Sequence, residues 1–478
     1  MSEALRFAGL DEAGMGALGA AIAGLLTQGD RVALIGDLGA GKTTLARAIL
    51  RTLAGNAALE VASPTFTIIQ DYPVDPPVRH VDLYRLADAA ELDELGLGDG
   101  EAIELIEWPI EALPITVSIA IEGAETRGVT VTGMPERLAR DVEIARFLPS
   151  AGWGSAAREP LAADASSRDY QRLSDQWGRR AVLMDAPALT PPSDSYAARA
   201  GIADGNPHAF LAVGGLLARR GFTIPEPLAA DPAAGLLLLS DLGDEKVAIG
   251  DEPQSERYLA AAEALAVFHN EPVTVPLSPG PFGKGHAPPT FDADLALTEV
   301  ALFAEWALGQ PADDEFLALW RIAIDGLWRG DDHLALRDVH SPNLMWCEDK
   351  EGVARIGFID YQDAMIAPSA YDVVSLADDA RLPMPADLSS AVIERYLECR
   401  VGLDYGAWRE TAPVVAAQRA TRIIGVFHRL AQRDGKPGYM ANVPRIATGL
   451  ARDLKASPAL SGLRAWFAAH AANLVPVR

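Results

Sequence analysis

The sequence predicts two folded units in one chain: an α/β unit over residues 1–148 and an α+β unit of two lobes over residues 162–478, with a linker at 149–161. Three observations carry this expectation. At 478 residues the chain is too long for a single core. Up to residue 148, strand-like runs alternate with helix-forming ones, the pattern of a sheet layered with helices. Beyond the Gly-, Ser- and Ala-rich stretch Pro149 to Pro160, short strand signals return, then give way to helices from about Ser255. The second unit accordingly divides into a small lobe near 162–250 and a large lobe near 251–478.

The elements follow in order. Arg31 to Gly36 reads as a strand entering a Gly-rich turn, and Thr43 to Leu53 as the helix leaving it. Further strand signals are Thr67 to Gln70, Val78 to Asp82, Ala102 to Glu107, Ile115 to Ile121 and Val129 to Thr132, and an amphipathic run from Pro135 to Leu148 closes the unit. The small lobe shows Tyr170 to Leu173, Ala181 to Met184 and Leu236 to Ser240. No internal repeat is visible. Hydrophobic residues at 49% and charged residues at 22% fit a globular chain. Cys347 and Cys399 are the only cysteines, which excludes a disulfide framework and fits the reducing cytoplasm. The apolar stretch Ala13 to Leu26 follows Asp11 and Glu12 and is too short to span a bilayer, so no membrane association is expected. The net charge is −25, and residues 1–150 hold 11 Lys/Arg against 23 Asp/Glu. Both halves are acidic and repel a phosphate backbone, so direct nucleic-acid binding is not expected; a role near RNA would run through a partner protein.

The turn after the first strand signal is Gly36-Asp37-Leu-Gly39-Ala40-Gly41-Lys42-Thr43, followed by Thr44. This is the P-loop pattern, in which glycines let backbone N–H groups turn toward phosphate oxygens. It predicts an ATP site with Lys42 on the β and γ phosphates and Thr43 on Mg²⁺. Glu107 ends a mostly apolar strand beside it, where a carboxylate can hold Mg²⁺ or its waters. Asp82 is expected either in a catalytic switch or water-positioning role or as a turn cap in Asp-Leu-Tyr. Trp108 reads equally as core or as cover for the nucleotide.

Three more segments, Ser63-Pro-Thr-Phe-Thr67, His80-Val-Asp82-Leu-Tyr84-Arg85 and Ile106-Glu107-Trp108-Pro109, stand in order after the P-loop. With it they resemble the TsaE family, the ATPase subunit of the bacterial machinery that makes threonylcarbamoyladenosine in tRNA, over about residues 3–148. The resemblance implies ATP and Mg²⁺ use and work through threonylcarbamoyltransferase partner proteins. One departure is Met15, where the family often has a hydroxyl residue that touches the nucleotide.

In the second unit, Leu336-Arg-Asp338-Val-His340-Ser-Pro-Asn343 precedes Gly357-Phe-Ile-Asp360-Tyr-Gln-Asp363. This is the catalytic-loop and metal-loop pairing of a kinase-like fold. Asp338 would accept the proton of an attacking hydroxyl, Asn343 would turn back to a Mg²⁺ ion, and Asp360 would hold the metal that bridges ATP phosphates. Asp185-Ala-Pro187, Leu237-Leu-Leu-Ser240-Asp241-Leu-Gly-Asp244, Pro368 with Tyr371-Asp372-Val-Val-Ser-Leu376, and Arg433-Asp-Gly-Lys-Pro-Gly438-Tyr extend the match. Over about residues 162–470 the chain resembles the AmgK-type kinases of the aminoglycoside-phosphotransferase superfamily, which phosphorylate the anomeric hydroxyl of N-acetylmuramate and N-acetylglucosamine in cell-wall recycling. The resemblance implies an amino-sugar substrate, and Leu237 to Asp241, with Ser240 and Asp241, as the hinge that meets adenine. Asp372 is expected to cap or brace the catalytic loop. Two departures stand out: Leu336 replaces a frequent His, and no Lys occurs in the small-lobe strands up to Asp185, which leaves Arg168, Arg172, Arg179 and Arg180 to supply a phosphate-pairing charge. The fold class is therefore an α/β P-loop NTPase domain followed by an α+β two-lobed kinase-like (aminoglycoside phosphotransferase) domain. An antibiotic kinase, whose pocket should be acidic for a polycation, and an inactive kinase-fold sensing module are the alternative readings of the second unit.

Overall fold

The computed structural model describes residues 4–86, 95–161, 168–187 and 206–477. The chain divides into two compact units, Met1–Ala157 with Asp175–Trp177, and Arg158–Ser174 with Gly178–Arg478. Residue 162, the expected start of the second unit, lies outside the described residues.

The first unit is a seven-stranded mixed sheet: β1 (Leu5–Leu10), β2 (Arg31–Ile35), β3 (Ile69–Tyr72), β4 (Val78–Asp82), β5 (Ile103–Glu107), β6 (Ile115–Ile121) and β7 (Arg127–Thr132), in spatial order β1-β7-β6-β2-β5-β4-β3. The four central strands β6, β2, β5 and β4 run parallel. Parallel strands covered on both faces read as continuous apolar runs, and Val32, Ala33, Leu34, Ile103, Leu105 and Val117 are all essentially inaccessible. Helix α1 (Glu12–Ala23) is capped by the Asp11 carboxylate, which accepts from Gly14 N–H at 2.8 Å. It packs on α2 (Lys42–Leu53), and a Cβ at Gly19 would stand 2.5 Å from Ala48 Cβ, so only glycine allows that approach. Helix α3 (Leu138–Ser150) closes the unit. Strands β2 and β5 end side by side, which brings the P-loop and Glu107 to one edge of the sheet.

The small lobe of the second unit is an antiparallel sheet of β8 (Ala157–Leu161), β9 (Asp169–Ser174), β10 (Arg180–Asp185), β11 (Pro227–Asp231) and β12 (Leu236–Ser240), in order β11-β12-β10-β9-β8. β8 corrects the expected linker at 149–161: α3 continues to Ser150, and Ala157–Leu161 is an edge strand. Its sequence Ala-Arg-Glu-Pro-Leu is mostly exposed and carries Pro160, which an edge tolerates, so it lacks the alternation that marks a half-buried strand.

The large lobe is mostly helical, with its longest described helix at Tyr405–Gln432. Two short ladders interrupt the helices and frame the catalytic segments: Asp332–Ala335 with Met365–Pro368, and Leu344–Trp346 with Ile356–Phe358. A Cβ at Gly425 would meet the Leu302 backbone at 2.4 Å, so the long helix lies directly against the end of the helix Ala293–Leu302. Among the described residues no helix is long and apolar enough to cross a membrane.

Candidate active sites

In the first unit, Gly36, Gly39 and Gly41 take φ of 155°, 79° and 108°. At Gly36 a Cβ would also lie 2.5 Å from the Ile119 carbonyl oxygen. Gly41 caps α2, and the N–H groups of its opening residues Lys42, Thr43 and Thr44 have no carbonyl one turn back within the helix, which makes that end an anion site. Ala40 departs from the expected cradle. It is fully buried, its N–H donates to the Asp37 carbonyl (3.1 Å), and its own carbonyl accepts from Arg127 Nε (2.9 Å).

The Lys42 ammonium turns onto its own loop, donating to the carbonyls of Gly36 (2.8 Å) and Asp37 (3.0 Å). It also sits 3.8 Å from the centre of the Trp108 ring. Burial lowers its pKa, against the opposing pull of Glu107, Asp82 and Asp37. Trp108 holds φ 56° at the end of β5 and stands 5.0 Å from the Tyr84 ring. Its indole therefore lies over the Lys42 ammonium.

The buried Glu107 carboxylate accepts from the Thr43 hydroxyl at 2.8 Å and lies 3.0 Å from His80 Nε2. A hydroxyl and a carboxylate in contact form an all-oxygen pair suited to Mg²⁺. Asp82 is occupied differently from its expected catalytic role. Its Oδ2 accepts from Ser63 Oγ (2.7 Å) and Thr65 Oγ1 (2.8 Å), and its Oδ1 from Tyr84 N–H (3.0 Å). With both oxygens engaged, it braces the Ser63-Pro-Thr segment and caps its own turn. The buried Met15 makes the underside of the P-loop apolar, its methyl 3.7 Å from where a Gly41 Cβ would be.

In the second unit, Asp338, Asn343 and Asp360 line one narrow cleft. The loop carrying Asp338 is held from beneath. The buried Asp372 carboxylate accepts from the N–H groups of Leu336 (2.7 Å) and Arg337 (2.9 Å), and burial pushes its pKa up to about 7 although both donors lower it. Asp379 accepts from Ser341 N–H at 2.7 Å. Arg337, with φ 74°, sends its guanidinium to the fully buried Glu299, which also takes Gln418 Nε2 at 2.8 Å. Burial would raise the Asp338 pKa, but Arg422 at 3.4 Å, with His340, Arg337 and Arg419 around it, holds it below the usual carboxylate value. Asp338 is thus an ionised acceptor over the physiological range. Asn343 Nδ2 donates to the Asp338 carbonyl at 3.0 Å, which leaves its amide oxygen as the end available to a cation.

Asp360 holds φ 59°, and its Oδ1 accepts from Arg168 Nη1 (2.7 Å) and Gln362 Nε2 (3.0 Å). Of the arginines expected to replace a phosphate-pairing lysine, Arg168 is thereby placed at the metal loop. Arg172 and Arg180 instead reach Asp241 Oδ2, both at 2.9 Å, and extend to Asp244. Asp241 also accepts from Gly243 N–H (2.9 Å). The hinge donor expected of Ser240 is committed as well: its N–H donates to the Glu226 carbonyl and its hydroxyl accepts from Glu226 N–H, both at 2.8 Å. The side chains of both hinge residues hold the hinge itself.

Glu299, Arg419 and Arg422 escaped the sequence reading. The available signal was Arg419-Ala-Thr-Arg422, two guanidiniums one turn apart within the mostly apolar run Ala416 to Leu430. Among the described residues no group of three or more His, Cys, Asp or Glu is arranged to hold a metal. A metal in either site would therefore rest on one or two protein oxygens and its phosphate partners, the usual setting for Mg²⁺.

Comparison with known proteins follows the same division. Residues 10–129 match the family Threonylcarbamoyl adenosine biosynthesis protein TsaE, and residues 157–414 match the Phosphotransferase enzyme family. An N-acetylmuramate/N-acetylglucosamine kinase of Caulobacter vibrioides is 36% identical over 359 residues, 69% of this chain and 96% of that protein. A Pseudomonas aeruginosa protein of the same name is 32% identical over 332 residues, 65% of this chain and 89% of that protein. The tRNA threonylcarbamoyladenosine biosynthesis protein TsaE of Streptomyces coelicolor is 40% identical over 139 residues, 26% of this chain and 92% of that protein.

Proposed function

Because the chain belongs to the TsaE family in its first unit and to the phosphotransferase enzyme family in its second, we propose that it joins two ATP-using activities. The first unit is an ATPase that supports threonylcarbamoyladenosine formation in tRNA, together with threonylcarbamoyltransferase proteins. The second is a kinase of N-acetylmuramate and N-acetylglucosamine that acts at the anomeric hydroxyl. Both work in the cytoplasm, where ATP and tRNA are found. The observation that carries the kinase reading is the convergence of Asp338, Asn343 and Asp360 on one cleft.

In the second unit, Asp338 accepts the proton of the sugar O1 hydroxyl as O1 bonds to the γ-phosphorus and the bond from that phosphorus to the β–γ bridging oxygen breaks, releasing ADP. An anomeric hydroxyl is more acidic than an ordinary alcohol, so the low basicity of Asp338 suffices and positioning matters more than proton abstraction. Bound Mg²⁺ neutralises charge on the phosphoryl oxygens; Asn343 and Asp360 would hold it here, and Thr43 and Glu107 in the first unit. Arg168 supplies a fixed positive charge beside Asp360. In the first unit, Lys42 neutralises phosphate charge while Gly36 and Gly41 leave room for close backbone approach.

The test is incubation of the full chain with ATP, Mg²⁺ and each amino sugar, followed by phosphorus NMR. An acid-labile sugar 1-phosphate is expected. Phosphate on an aminoglycoside hydroxyl with both amino sugars untouched would replace this reading with an antibiotic kinase, and no transfer to any sugar with ATP still bound would leave a sensing module.

A further inference from the structure

A cavity of about 340 Å³ opens in the large lobe between the helices Ala370–Ala377, Tyr405–Gln432 and Val443–Ala456. Its charged lining is Arg419, Arg445 and Arg452 against Asp378 and Asp453. Arg452 reaches both acids. Arg445 donates to the backbone carbonyls of Asp379 (2.8 Å) and Ala380 (2.9 Å). Arg419 is different. It is only 4% exposed, and among the described residues its Nε has no hydrogen-bond partner and its guanidinium forms no ion pair. Its neighbours Arg337 and Arg422 each hold a carboxylate. Burying a cation without a partner is costly, so such a group is expected to have one in the working state.

The position of Arg419 indicates which partner. It lies three residues before Arg422, on the same face of one helix, about 5–6 Å away. Arg422 touches Asp338, the base at the anomeric oxygen. Arg419 thus lines the cavity while its charge also bears on Asp338. N-acetylmuramate carries a carboxylate on an ether-linked substituent that N-acetylglucosamine lacks. We infer that Arg419 is the specificity residue for the acidic amino sugar, its guanidinium receiving that carboxylate as the substituent enters the cavity. This rests on the amino-sugar reading above. A lining of three arginines against two aspartates also disfavours a polycationic antibiotic.

The test uses the full chain, with kcat/KM measured for N-acetylmuramate, its carboxylate methyl ester and N-acetylglucosamine. The parent protein should prefer the acid over the ester by about 10–100-fold, the range for one charge-assisted hydrogen bond. Arg419→Gln should bring the acid-to-ester ratio to about one, mainly through KM; because its charge also bears on Asp338, any change in kcat common to all three substrates is set aside by reading only that ratio. Arg419→Lys should recover part of the preference. A parent protein that handles acid and ester alike overturns the inference without any variant having to fold. An acid-to-ester ratio unchanged in Arg419→Gln also overturns it and leaves Arg419 a structural residue. Failure of the parent protein on both sugars would refute the amino-sugar reading itself.

Discussion

Replacing Glu299 by leucine tests whether the catalytic loop stands on a buried ion network. Glu299 is fully inaccessible, and its carboxylate serves Arg337, Gln418 Nε2 at 2.8 Å and Arg422 at 3.7 Å. Leucine fills a similar volume but leaves the Arg337 guanidinium, itself 2% exposed, without its carboxylate. Breaking one side of a buried pair costs about 3–5 kcal/mol. A unit of about 320 residues unfolds with an entropy near 0.7 kcal/mol per degree, so Tm should fall by about 4–7 °C. Differential scanning calorimetry of the full chain, following the transition that sugar or nucleotide shifts for the second unit, reads this directly. Removing both charges in Glu299→Leu/Arg337→Leu should recover at least half of the loss, since no orphan ion remains. A single-variant shift below about 1 °C, or a double variant that loses the sum of both singles, would refute the argument.

Three further outcomes are expected. Lys42→Ala, placed in a chain already silenced in its second unit by Asp360→Ala, should lower ATP turnover by about 10³-fold or more; unchanged hydrolysis would sink the P-loop assignment. Asp360→Ala should abolish sugar phosphorylation while Asp338→Asn leaves a small residue of activity, because positioning outweighs proton abstraction at an anomeric hydroxyl; the reverse ranking in a coupled ADP assay would count against that mechanism. Burial lifts the Asp453 carboxyl to about 6 from an ordinary 3.8, against the opposing effect of Arg452. The folded state thus keeps a proton that the unfolded chain has released, a contribution complete below 3.8 and lost as pH rises through about 6. Asp453→Asn should therefore gain stability on the parent across that window, by at most about 3 kcal/mol, and run parallel to it above about pH 7; a pH-independent difference in Tm would contradict the sign.

What the sequence made legible was local. The Gly36 to Thr43 turn, the five-residue step from Asp338 to Asn343 and the apolar strands before Glu107 and Asp360 each concentrate their chemistry within a few residues, so the pattern survives without a fold. What stayed hidden depends on distant partners. Nothing around Ser240 reveals that Glu226, fourteen residues earlier, accepts its N–H through the backbone carbonyl and donates its own N–H to the hydroxyl. The turn cap of Asp82 onto Tyr84 is local and legible, but its second oxygen shows its role only when Ser63 and Thr65 are brought to it across 19 and 17 residues. Glu299 lies in Leu297-Thr-Glu-Val-Ala-Leu302, where a single acid on a helix looks like a solvated face. β8 was missed for the opposite reason, since an exposed edge strand has no hydrophobic period to read.

The contact between Arg168 and Asp360 joins residues 192 positions apart. A ribosome adding about 5–20 residues per second leaves about 10–40 s between the synthesis of the two. Throughout that interval Arg168, destined to be 5% exposed, has neither Asp360 nor Asp363 to receive it. The small-lobe sheet must wait for the acids of the metal loop, so the metal end of the kinase cleft is completed after most of the second unit has been made. Closing so long a loop costs only about 2 kcal/mol more than closing one of about 20 residues, which makes the delay kinetic rather than thermodynamic. A nascent chain stalled before residue 360 would therefore hold a finished P-loop unit and an unfinished kinase.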